Sequence, residues 1–197
     1  MRRAAWVAAA LLAAGCAGGP VPPAWKLESS QSQRLFERHW LAGNAAAADA
    51  DFRDARQAVS RTGRLDLLAR LELARCALRV ASLDFDACTP FEALRADAGP
   101  EELAYADYLY GGGSRRAAPA EGDALAQLVD AGVRLRRGEL APEGVARATG
   151  IASSEGWRRP LAAWLALQKK RAEEAGDRDA AARLGRRLEA VLSSGGG

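Results

Sequence analysis

The chain has 197 residues, of which 49% are apolar, 27% charged and 6% aromatic, enough to bury one real core in a single domain. Only 12 residues are β-branched (three Thr, one Ile, eight Val), while Ala, Leu, Arg and Glu dominate. That excludes a large β-sheet and predicts an all-α fold. A single His excludes a His-rich metal site, and 28 basic against 25 acidic residues leave a formal net charge of only +3.

Arg2 and Arg3 open the chain, and residues 4–14 follow without a charge. Eleven apolar residues span roughly 16 Å as a helix, too short for a bilayer core of about 30 Å. A basic start, a short apolar run and small residues read as a secretory signal. The run ends Leu12, Ala13, Ala14, Gly15, Cys16, which resembles the lipobox of bacterial lipoproteins. The commonest Leu of that motif, three before the cysteine, is Ala13 here. The resemblance implies a signal peptide over 1–15, cleavage before Cys16, and lipidation of that cysteine as a membrane anchor. Several acyl chains together make such an anchor stable. Ala17, rather than Asp, after the cysteine implies the periplasmic face of the outer membrane. Loss of Arg2 and Arg3 turns 28 basic residues into 26 against 25 acidic, a net of +1. Nucleic acid is then not an expected partner.

Residues 16–24 hold the lipidated cysteine and a Gly/Pro tether, of which residues 17–24 reach about 25 Å. A helical domain is expected over 25–192, and a flexible tail over 193–197. Within the domain, residues 27–41 read as a helix with Leu35, Phe36, Trp40 and Leu41, stopped at Gly43 and Asn44. Residues 47–60 carry Phe52, Ala55 and Val59 on one stripe, broken at Thr62 and Gly63. The next run, with Leu65, Leu68, Leu71, Leu73, Leu78 and Val80, is apolar on more than one face and is expected to be the central buried helix. Thr89 and Pro90 cap a helix over 91–96, and Gly99 to Glu102 open another over 103–109. Residues 111–119 read as a loop. Further helices are predicted over 121–135, 142–149, 154–175 and 177–192, the last two paired around Gly176. Turns of two to six residues make neighbours antiparallel, as in a bundle or a helix-hairpin array.

Ala48, Phe52 and Ala55 behind Gly43 resemble the second helix of a tetratricopeptide repeat, where small residues let two helices lie close while an aromatic fills the gap. Leu35 fits the first helix, and Phe36 stands where a small residue is expected. The pair around Ala175, Gly176 and Asp177, with Ala181, Gly185 and Leu188, has a similar turn. The resemblance implies a concave protein- or peptide-binding surface and no catalysis. An irregular bundle rich in alanine fits the same residues.

With Cys16 taken by lipid, Cys76 and Cys88 remain as an even pair in an oxidising compartment. One continuous helix would separate them by about 18 Å, so a disulfide requires residues 82–86 to turn; two buried free thiols are the alternative. His39, beside Trp40, reads as a half-exposed helix residue rather than a metal ligand. Gly111 to Ser114 lack the lysine of a phosphate loop. Tyr105 and Tyr108 share one helix face, as do Trp157, Leu161 and Trp164. Both stripes suit a core, and both are candidate binding surfaces. Asp84 with Asp86, and Glu101 with Glu102, are the carboxylate pairs a glycan hydrolase would need, and capping accounts for them more simply. No cofactor is expected. The leading expectation is a lipid-anchored, non-catalytic binding or scaffolding module that meets another envelope protein. A cell-wall glycan hydrolase and a small-ligand carrier are the alternatives.

Overall fold

The computed structural model of the chain describes residues 22–113, 120 and 122–194, and these are all-α. The helices are α1 (Ala24–Ala42), α2 (Ala45–Ser60), α3 (Leu65–Ala81), α4 (Thr89–Glu92), α5 (Pro100–Leu109), α6 (Ala124–Arg136), α7 (Pro142–Ser154), α8 (Arg158–Glu174) and α9 (Arg178–Ser193). A 3-10 turn, Arg95–Asp97, joins α4 to α5. Neighbours in sequence pack as neighbours in space, most extensively in the hairpins α1–α2 and α8–α9.

Local chemistry sets most boundaries. Asn44, Asp123 and Asp177 accept the backbone N–H of Ala47, Ala126 and Ala180 and so cap α2, α6 and α9. Pro90, Pro100 and Pro142 stand in first turns, where the missing N–H costs nothing. Pro160 does the same inside α8. Gly43 ends α1 at φ 77°, in the left-handed region that spares glycine a steric penalty.

Several boundaries differ from the sequence reading, among them these. The expected helix over 91–96 is a single turn followed by the 3-10 turn. The helix expected to stop at 149 runs on to Ser154, and α8 starts at Arg158 instead of 154. Gly150 costs a helix interior only about 1 kcal/mol. The full burial of Ala152 and the packing of Ile151 on the core outweigh it.

Two apolar clusters share α3. Phe36, Leu41, Phe52, Val59, Leu68, Leu71 and Leu78 form one, between α1, α2 and α3. Leu73, Val80, Phe91, Leu109, Leu128, Val133 and Trp164 are central to the other. The two faces of α3 therefore serve two cores, which explains its apolar residues on more than one side. Where α3 meets α6, a Cβ on Gly132 would stand 2.4 Å from the Val80 carbonyl oxygen, so only glycine permits this approach.

The two ends of the domain are also joined. Arg158 donates to the carbonyls of Ala42 (2.8 Å) and Gly43 (3.2 Å) at the end of α1. Arg159 donates to the Trp40 carbonyl at 3.0 Å and lays its guanidinium 4.1 Å from the Trp40 ring centroid. Trp157 packs against both clusters at this junction.

Candidate functional site

The turn after α3 brings Cys88 back to Cys76. Asp84 N–H donates to Arg79 O and Leu83 N–H to Val80 O, a Schellman-type closure with Leu83 at φ 58°. The two cysteines are joined with Cα atoms 5.9 Å apart, and both are buried. Arg79 donates to Asp84 (2.9 Å) and to Asp86 (2.9 Å), and this hydrogen bond holds the Asp86 carboxyl below its usual range. Arg70 donates to Glu102 at 2.7 Å and lowers its pKa in the same way. Asp84, Asp86 and Glu102 are thus each engaged by an arginine.

His39 Nδ1 lies 2.6 Å from Asp51 Oδ2, an α1–α2 contact. Arg137 donates to the carbonyls of Gly111 and Gly112, and Arg136 to those of Leu109 and Phe85. The glycines thus end α5 against α6. Ser114 and Cys16 lie outside the described residues, as do residues 1–15. Among the described residues, no group of three or more His, Cys, Asp or Glu is placed to hold a metal ion, and no helix is long and apolar enough to cross a membrane.

The aromatic candidates divide. Trp164 has no exposed surface and donates from Nε1 to Ala81 O at 3.1 Å, so it is a core residue and presents nothing to a partner. Tyr108 is also buried, with its hydroxyl on Asp130 at 2.8 Å. Trp157 serves the α1–α8 junction. Tyr105 differs: it stacks on Tyr108, ring centroids 5.9 Å apart, and reaches an open groove.

That groove, about 260 Å³, lies between α1, α3, α5 and α6. Phe36, Ala77, Leu78 and Val129 are its buried floor, and Ala74, Tyr105, Leu125 and Ala126 its walls. Small alanines at 74, 77 and 126 leave the space that larger side chains would fill. Gln33, Glu37 and Asp123 form its polar rim. Desolvation by the surrounding protein, and then the nearby Asp123 carboxylate, raise the pKa of Glu37 from its ordinary value, while its side chain stays exposed at the rim. A second depression, lined by Arg70, Leu73, Glu101, Glu102 and Ala104, shares Ala74 and Tyr105 with the first.

Glu37 and Asp123 escaped the sequence reading because they come together only through tertiary packing, with α1 and α6 both against α3. Asp123 was read only as part of the predicted helix over 121–135, whereas it is the N-cap of α6. Chemically, the groove offers an apolar floor for a hydrophobic side chain and carboxylates for a cation. Searches against protein-family models, curated proteins and solved structures find no match to this chain.

Proposed function

We propose that this chain is a lipid-anchored envelope protein that works as a non-catalytic binding module, receiving a partner protein in the groove between α1, α3, α5 and α6. The groove itself carries the reading of binding: an apolar floor, an aromatic wall and a polar rim, open to solvent along its flank. Placement in the envelope rests on the resemblance of residues 12–16 to a lipobox, and the Cys76–Cys88 pairing suits an oxidising compartment.

Of the carboxylates singled out in the sequence, Arg79 engages Asp84 and Asp86 and Arg70 engages Glu102, so the hydrolase alternative would draw on others, such as Glu37 and Asp123 in the groove. Phe36, Ala77, Leu78 and Val129 offer no hydrogen bonds to sugar hydroxyls, and Asp123 is engaged in capping α6. A carrier of small ligands would need to enclose its cargo, whereas this groove is open to solvent along its flank.

Photo-crosslinking residues installed at Gln33 or Leu125 in living cells test the proposal. One discrete envelope protein should be captured from these positions and not from Arg178 or Glu189 on α9. Equal capture from both faces, or none from the groove, would contradict it.

A further inference from the structure

The whole chain carries a small positive net charge, yet among the described residues the two depressions that share Tyr105 bear four carboxylates (Glu37, Glu101, Glu102 and Asp123) against one guanidinium, Arg70. Arg70 is already matched by Glu102. Among the described residues, the groove proper has no basic side chain in its lining. The depression between α6 and α7 offers an internal contrast: Asp130 and Glu143 there face Arg134 and Arg147, so its charges balance. The negative sign at Tyr105 is therefore local and does not follow from composition.

Resting on the binding reading above, we propose that the occupant of this groove is a basic amphipathic segment of a partner protein, seating a large apolar side chain on Phe36, Leu78 and Val129 while a lysine or arginine meets Glu37 and Asp123. The area is apolar enough to hold a leucine- or phenylalanine-sized group out of water, and the two rim carboxylates supply charge-assisted hydrogen bonds to a cation. Rim charges govern encounter rate and salt sensitivity, while the apolar seat governs residence.

A random dodecapeptide display library tests this against full-length protein held in phosphatidylcholine nanodiscs, after depletion on empty nanodiscs. Selected peptides should combine Lys or Arg with Leu, Phe or Trp. A synthetic copy of the strongest should bind about tenfold more weakly to Glu37→Gln/Asp123→Asn, in which asparagine still caps α6, and lose most of its salt dependence. Tyr105→Ala should weaken binding at every salt concentration. Acidic or uncharged peptides, no enrichment, or unchanged affinity in the double variant would overturn the basic-segment inference. Crosslinking from Gln33 and Leu125 would still report separately whether the groove binds a partner at all.

Discussion

Glu37 and Gly132 show two opposite reasons for a residue's presence. Gly132 is there for packing: its missing Cβ lets α6 reach the Val80 carbonyl. Gly132→Ala should destabilise the protein by about 1–3 kcal/mol, because backbone and not a flexible side chain must move, and urea unfolding measures it. Glu37 is held against a folding preference. Its pKa is higher in the folded chain than in the unfolded one, so its contribution to stability falls as pH rises through the unfolded value and on through the folded one. Glu37→Gln should therefore raise the melting temperature at pH 7. At pH 3, where the carboxyl is protonated in both states, the difference should vanish. A stabilising substitution at a groove rim is the pattern expected where binding, and not folding, sets the residue.

The helices themselves act through their ends and their pairings. Asp66, held by Arg64 at about 2, and Asp86 and Glu102, held low by Arg79 and Arg70, have the reverse sign from Glu37. Their contributions are complete above the unfolded carboxylate pKa values, near 4, and disappear as pH falls through the lower folded values. Melting temperature should thus drop between pH 4 and pH 2, and Arg79→Ala should flatten part of that drop. The closure between Cys76 and Cys88 spans 12 residues of sequence. Reduction should cost about 3 kcal/mol of stability in the chain-entropy account, read as a shift of the urea midpoint with and without a reductant. Most of these elements were legible beforehand, since Gly43, Asn44, Pro90, Pro100, Pro142 and Gly176 mark ends by local chemistry alone. Thr149 and Gly150 misled because burial of Ala152 overrides a weak propensity. Trp164 and Tyr108 could not be told from surface aromatics by spacing, since a helical stripe looks the same whether another helix or water covers it. The rim pair of Glu37 and Asp123 was invisible because its partners meet through α3, which lies between them in the core.

At the scale of the molecule, the guanidinium contacts of Arg158 and Arg159 tie the start of α8 to the end of α1, so the helices between them form one body around α3. That body holds the groove in shape and, on the proposed reading, hangs from a short tether at the membrane surface. Anchoring confines the search for a partner to a thin layer and raises its effective concentration. Intact-mass analysis of the protein recovered from the envelope of a lipoprotein-processing bacterium tests this most directly. The expected result is a chain beginning at Cys16 and carrying the mass of attached acyl groups, with Cys16→Ser abolishing both. A chain that still begins at Met1, or an unmodified Cys16, would contradict it.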